Sequence, residues 1–272
     1  MNTYVINLAE RKTEYDFMPT MQVYILEENQ TGPRPMVIIC PGGGYGGVCS
    51  NWEGERIAMS YVAAGFHAAI VDYCVAPHCH PLPLQNIARA IHICRDNAGK
   101  WCIDPDKIAV CGFSAGGHLA ASISTLWNST EIFSQSEIAT EIYRPNATIL
   151  CYPVITSGEK AHKGSFFNLI GEADESLPEW ELLSLEKQVD EKTPPAFLWH
   201  TYEDELVPME NSMLYAMSLR KHNVPCELHV YQKGWHGLSL CTKDLPRTKS
   251  IFNRDYAWVG MSVDWLSDIF QL

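Results

Sequence analysis

The sequence predicts an α/β fold, a three-layer α/β/α sandwich built on a mostly parallel central sheet. Three observations predict it. Short apolar runs of strand length alternate with longer amphipathic runs of helix length along the chain. The apolar runs are nearly continuous, as in strands covered on both faces. One of them, Ile108-Ala109-Val110-Cys111, leads directly into Gly112-Phe113-Ser114-Ala115-Gly116 and then a helix-like run from His118, the pattern of strand, sharp turn and helix.

In chain order, the strand-like runs fall near residues 21–26, 36–40, 66–73, 108–111, 147–152, 196–200 and 226–231. The helix-like runs cover about 52–64, 84–97, 118–126, 209–222 and 256–270. The run at 36–40 ends in Pro41-Gly42-Gly43-Gly44-Tyr45-Gly46-Gly47. Consecutive glycines let a backbone approach a bound molecule and turn its N–H groups inward. No Gly-Lys-Ser/Thr follows and no Gly-x-Gly-x-x-Gly opens a helix here, so a phosphate loop is disfavoured against an anion-binding or hinge role. Tyr45 and Trp52, in and just after this loop, are candidates for a substrate-binding wall or for core aromatics. Pro105 after Asp104 predicts a turn before the strand that carries the Ser114 motif.

Ser114 stands at the apex of its turn, where a serine hydroxyl is exposed and the following helix points N–H groups and its positive dipole end at the site. This makes Ser114 a candidate nucleophile. A serine needs a base to take its proton and donors for the charge that develops on the attacked oxygen. The N–H groups of Gly43, Gly44 and Ala115 are the candidate donors. For the base, His236 lies in the loop Gly234-Trp235-His236-Gly237 after the last strand, whereas His229 lies inside that strand and His200 ends the preceding one. For the acid, Glu203, Asp204 and Glu205 all follow the 196–200 strand, at the sheet end where α/β proteins build their sites.

Residues 155–193 interrupt the alternation. The segment is polar, with Phe166, Phe167, Trp180, Leu182 and Leu183 embedded in it. It predicts a small cap insertion over the site that sets substrate size, or a long surface crossover with short helices. The remainder of 1–272 reads as one domain of a size that buries a large core.

Composition narrows the partners. With 46% apolar residues and 11% aromatics the chain is globular. Twenty basic against 32 acidic residues give a net charge of −12, which argues against nucleic acid and anionic membranes. No run of about 18 apolar residues predicts a membrane span. The first ten residues show neither a basic start nor a long apolar core, which predicts no secretory signal. Ten cysteines in such a chain then read as reduced thiols in a cytoplasmic protein. Cys74, His78, Cys79 and His80 match no standard zinc spacing, so no metal site is expected there.

A wider set of segments carries a resemblance. Pro41-Gly42-Gly43-Gly44-Tyr45, Asp72-Tyr73, Asp104-Pro105-Asp106-Lys107-Ile108, Gly112-Phe113-Ser114-Ala115-Gly116-Gly117-His118, Pro194-Pro195 and Gly234-Trp235-His236-Gly237 together resemble the α/β-hydrolase superfamily, in its esterase and acetyl-xylan-esterase-like group. The resemblance implies the order nucleophile, acid, base, and in that pattern the acid lies four residues before the Pro of a Val-Pro pair. Here that residue is Asp204, before Val207-Pro208, so the implied triad is Ser114, Asp204 and His236. Pro41 stands where the oxyanion motif often begins with His, Cys74 follows Asp72-Tyr73 where Arg is common, and Pro77-His78-Cys79-His80 replaces a usual Pro-Glu-His. The resemblance implies a serine carboxylesterase for short acyl esters, acetylated sugars among them, working on a small-molecule substrate without metal or organic cofactor. A small prolyl-oligopeptidase-like peptidase and a non-catalytic binding protein on the same scaffold are the competing readings. The sequence leaves a homo-oligomer open.

Overall fold

Along residues 36–40 successive side chains enter two separate cores: Met36, Ile38 and Cys40 join one, Val37 and Ile39 the other. That is the two-residue period of a strand buried on both faces. The computed structural model describes residues 1–27, 32–134, 139–242 and 257–272. Among these, eight strands form one sheet: β1 (Asn2–Asn7), β2 (Thr20–Ile25), β3 (Arg34–Cys40), β4 (His67–Asp72), β5 (Ile103–Phe113), β6 (Ala147–Cys151), β7 (Ala196–Thr201) and β8 (Cys226–Tyr231). Their spatial order is β1-β2-β4-β3-β5-β6-β7-β8. The β1–β2 and β2–β4 pairs are antiparallel, and every pair from β4 through β3 to β8 is parallel.

The helices are α1 (Ser50–Glu53), α2 (Glu55–Ala63), α3 (Leu82–Asp96), α4 (Ala98–Trp101), α5 (Ala115–Leu126), α6 (Lys163–Ile170), α7 (Pro178–Leu182), α8 (Glu210–Lys221) and α9 (Trp258–Phe270). One face of the sheet is covered by α3, α5 and α8, with Phe166 of α6 and Trp180 of α7 in the same core. The other is covered by α2 and α9 through Ile57, Tyr61, Trp258, Trp265 and Phe270. The predicted three-layer sandwich is therefore the observed one.

The differences from expectation are local. β1 was not expected; it is a mostly exposed edge whose side chains carry no apolar alternation, and backbone pairing to β2 holds it. Pro105 lies within β5 and not in a turn before it. Partners shift there from Arg34↔Ile103 to Met36↔Ile108, so three extra residues bulge out of β5, and the exposed Pro105 has no N–H to lose. The helix expected over 52–64 breaks at Gly54, where a Cβ would lie 2.4 Å from the Ser50 carbonyl oxygen. The expected start of the last helix at Tyr256 lies outside the described residues.

Residues 155–193 fold as α6, α7 and a short 3-10 turn (Leu185–Lys187). Phe166 and Trp180 stack with ring centroids 5.1 Å apart, and the segment's Leu169, Leu183 and Leu185 are buried. It is fastened to α5 by His118, whose Nε2–H donates to the Leu183 carbonyl at 2.9 Å. All ten cysteines are free thiols, six of them buried. No helix among the described residues is long and apolar enough to cross a membrane.

Candidate active site

The parallel register brings five strand ends to one edge. Cys40 of β3 lies beside Gly112 of β5, Phe113 beside Cys151 of β6, Cys151 beside Trp199 of β7, and Thr201 beside Tyr231 of β8. The loops that leave these ends carry every candidate residue, as expected for the carboxyl edge of a parallel sheet.

Ser114 links β5 to α5 with φ 54° and ψ −119°, a left-handed backbone that costs a non-glycine residue on the order of 1–3 kcal/mol. Neighbours hold it there. Its N–H donates to Cys151 O at 3.0 Å, and its carbonyl accepts from His118 N at 3.0 Å and Val154 N at 3.1 Å. Gly116 lets α5 start this close to β3, since a Cβ there would sit 2.1 Å from the Cys40 carbonyl oxygen.

The Ser114 hydroxyl lies 2.7 Å from His236 Nε2, and His236 Nδ1 lies 2.7 Å from Asp204 Oδ2. Because the carboxylate accepts from Nδ1–H, Nε2 is the acceptor facing the serine proton. Asp204 is fully occupied. Its Oδ1 accepts from the N–H groups of Leu206 at 3.1 Å and Val207 at 2.9 Å, and its Oδ2 also lies 3.3 Å from His200 Nε2. Burial by itself would raise the Asp204 carboxyl. The nearby His200 ring, the His236 N–H and charge, and the Val207 N–H outweigh it and hold the group well below the usual carboxylate range. The structure thus joins Ser114, Asp204 and His236. It leaves Glu203 on another partner, accepting from Lys233 Nζ at 2.5 Å and Gly234 N at 3.2 Å.

Gly43 and Gly44 line the cavity that opens over Ser114, and both have positive φ, 129° and 63°. A Cβ on Gly43 would meet the Gly47 carbonyl oxygen at 2.1 Å, so only glycine permits this turn. No protein acceptor for the N–H groups of Gly43, Gly44 or Ala115 is found among the described residues. These are the donors that an oxyanion would require.

The cavity encloses about 740 Å³ and is lined mainly by apolar surface, with Trp52, Trp235, Leu206, His162, Glu203 and Glu205 around Ser114 and His236. Trp52 is thus on the wall. Tyr45 is not, which corrects that expectation: it is 1% exposed, packs edge-on to Tyr73, and its O–H donates to His118 Nδ1 at 2.9 Å. A buried phenol needs a partner, and the neutral His118 ring supplies it. Burial, partly offset by the Leu183 bond, lowers His118 to about 4.

Four contributors were not singled out from sequence. Glu53 lies in the cavity wall at 5% exposure. Tyr152, immediately after β6, packs edge-on against the His236 ring at 5.1 Å. His162 comes from the 155–193 segment, and Trp235 from the base loop. Glu53 shows only as one acidic residue in an amphipathic run, and Tyr152 only as the end of an apolar strand. No local pattern marks either. Among the described residues no cluster of three or more His, Cys, Asp or Glu could hold a metal ion; His78 is spent on the Val75 carbonyl and the Thr13 hydroxyl.

A family model described as BD-FAE matches residues 21–219, from β2 to α8. The chain belongs to the BD-FAE family. Endo-1,4-beta-xylanase B of Butyrivibrio fibrisolvens is 36% identical over 247 residues, 89% of this chain and 38% of that protein. The acetylxylan esterase of Xylanibacter ruminicola is 32% identical over 226 residues, 81% of this chain and 44% of that protein. This BD-FAE chain therefore spans less than half the length of these two curated relatives. Over nearly full length it is similar to the acetyl ester-xyloside bifunctional hydrolase from Caldicellulosiruptor lactoaceticus, with 37% identity, a TM-score of 0.83, and coverage of 98% of this chain and 96% of that one. The fold is that of the α/β hydrolases.

Proposed function

We propose that this chain is a serine carboxylesterase that removes short acyl groups, acetyl esters of sugars or oligosaccharides among them. The observation that carries the reading is the single imidazole of His236, which bridges the Ser114 hydroxyl and the Asp204 carboxylate at 2.7 Å on both sides. The substrate class is supported by the esterase relatives and by a cavity that pairs Trp52 and Trp235 with Glu203 and Glu205, aromatic faces and hydroxyl acceptors suited to a neutral sugar ring.

In the acylation step His236 Nε2 takes the Ser114 proton as Oγ attacks the ester carbonyl. Asp204 keeps Nδ1 protonated and stabilises the imidazolium. The N–H groups of Gly43, Gly44 and Ala115 donate to the tetrahedral oxyanion. The imidazolium then protonates the departing alkoxide, leaving the acyl group on Oγ. Water then gives a proton to the same nitrogen as its oxygen attacks the acyl carbon, the acyl–Oγ bond breaks, and His236 returns the proton to Oγ, which releases the acid and restores Ser114. The 155–193 segment acts as the cap on substrate size, with His162 as its residue at the cavity. Burial keeps His162 below the ordinary histidine value, so it presents a neutral ring to substrate. The cytoplasm is the proposed location, its reducing conditions suiting six thiols that serve as packing groups.

The test is labelling with a fluorophosphonate, followed by a panel of p-nitrophenyl esters, acetylated xylo-oligosaccharides and aminoacyl anilides. The expected result is a covalent adduct on Ser114 and turnover of the acetyl esters. Labelling elsewhere, or preference for the anilides, would reject the reading.

A further inference from the structure

We propose that Glu53 is a positioning residue for the oxyanion-binding loop, its carboxylate fixing the backbone that aims the Gly43 and Gly44 N–H groups. This rests on the reading of those groups as the oxyanion donors.

Glu53 is a buried carboxylate in the cavity wall. Its Oε2 accepts from Gly42 N at 2.7 Å, and its Oε1 accepts from the Tyr152 hydroxyl at 2.6 Å. The direction of the second bond is fixed, because the Tyr152 oxygen accepts from Ser239 N at 2.9 Å and so has its own proton to give. Both neighbours of Glu53 are donors. Only a group with two acceptor oxygens satisfies them.

The Gly42 contact is one of three that hold the end of β3. The Tyr73 hydroxyl donates to Pro41 O at 2.5 Å, and Cys49 N donates to Gly42 O at 2.9 Å. Together they fix the planes of the two peptides that precede Gly43, and a fixed peptide plane fixes where the next N–H points. There is no slack in this place. A Cβ on Gly42 would be 2.9 Å from Glu53 Oε2 and 3.0 Å from Ser114 Cβ.

The second arm runs to the base. Tyr152 packs on His236, and Ser239 lies three residues beyond it in the same loop. Glu53 thus ties the donor loop and the base loop together beneath the cavity. The titratable groups facing it are Tyr152, His236, Cys49, Tyr73 and Cys151. Of these only His236 becomes cationic, and it does so in the step where the oxyanion forms. Desolvation raises the Glu53 carboxyl, opposed by the bonds from Tyr152 and Gly42 and by the His236 charge. A cost accepted in so buried a place is consistent with a functional role.

The experiment compares native protein, Glu53→Gln, Tyr152→Phe and Ser114→Ala with p-nitrophenyl acetate. It also measures inhibition by a trifluoromethyl ketone, whose adduct carries an oxyanion in the donor site. Gln presents an amide N–H to one of two donors, so Glu53→Gln is expected to lower kcat by about 10- to 100-fold, with KM changed by less than about threefold. Inhibitor affinity should fall in step with kcat/KM, which a merely structural role would not produce. Tyr152→Phe keeps the fold and the Gly42 bond, and is expected to lower kcat by about 3- to 10-fold. The inference is overturned if Glu53→Gln keeps kcat and inhibitor affinity within about twofold of native while Ser114→Ala is inactive. Should Glu53→Gln not fold, Glu53→Asp, whose carboxylate is one methylene too short to reach both Gly42 N and the Tyr152 hydroxyl, replaces it, and kcat and inhibitor affinity within about twofold of native overturn the inference instead. Activity retained in Ser114→Ala would instead overturn the esterase reading beneath it.

Discussion

Asp204 accepts three hydrogen bonds with two oxygens, from two backbone N–H groups and His236, while His200 Nε2, whose proton goes to the Val207 carbonyl at 2.8 Å, lies 3.3 Å from Oδ2. No orientation of an amide satisfies that set. With Asp204→Asn, either backbone donors face an NH₂ or His236 must turn to its other tautomer, which puts a proton where the serine proton should go. The expected loss in kcat is on the order of 10³- to 10⁴-fold, measured with p-nitrophenyl acetate. A loss smaller than about tenfold would remove Asp204 from the mechanism. Ser114→Ala should cost at least about 10³-fold on the same assay. At this scale Ser114 and His236 were legible because each sits in a short glycine-bounded turn. Asp204 was legible only through the family pattern of Val207-Pro208, since three carboxylates adjoin there and composition cannot choose among them. Glu53 and Tyr152 were not legible, because their roles come from contacts 99 residues apart in the chain.

The elements depend on close backbone approach at the strand-to-helix turn. Gly116→Ala would drive a Cβ to 2.1 Å from Cys40 O and 2.4 Å from Pro41 O, both backbone atoms. The expected cost is about 3 kcal/mol or more, seen as a lower urea midpoint, with activity lost as β3 and α5 separate. Gly99, inside the short helix α4, is the contrast: nothing lies within 4 Å of an added Cβ there, and its φ is not positive. Gly99→Ala should raise stability by about 0.5–1 kcal/mol through unfolded-state entropy and helix propensity. The central strands were readable because burial on both faces demands continuous apolar residues. β1 was not, because an exposed edge strand is held by its backbone and imposes little on side chains. The Pro105 bulge was misread for a related reason: proline signals a missing N–H, which a turn and a bulge satisfy equally.

For the whole molecule, stability should depend on pH through two histidines beneath the 155–193 segment, the buried His118 and the half-buried His80. Desolvation lowers both His80 and His118 from the ordinary value near 6.5 to about 4. Between these values the unfolded chain binds protons that the folded chain refuses, so stability falls as pH drops from 6.5 to 4 and this contribution then levels off. Urea midpoints across that range should show the slope, and His80→Gln should flatten it. Glu53, raised by burial, acts with the opposite sign, and Asp204, depressed, keeps its contribution throughout. If the segment governs substrate size, His162→Ala should lower kcat/KM for acetylated xylo-oligosaccharides more than for p-nitrophenyl acetate. An equal effect on both would place His162 outside substrate recognition.

The hydrogen bond between Ser114 and His236 joins residues 122 apart, and between them lie the three strand pairings from β5 to β8. Turnover is therefore a late reporter of assembly. During renaturation from urea, recovery of ellipticity should precede recovery of hydrolysis, because local helices can form while the far half of the sheet is still unzipped.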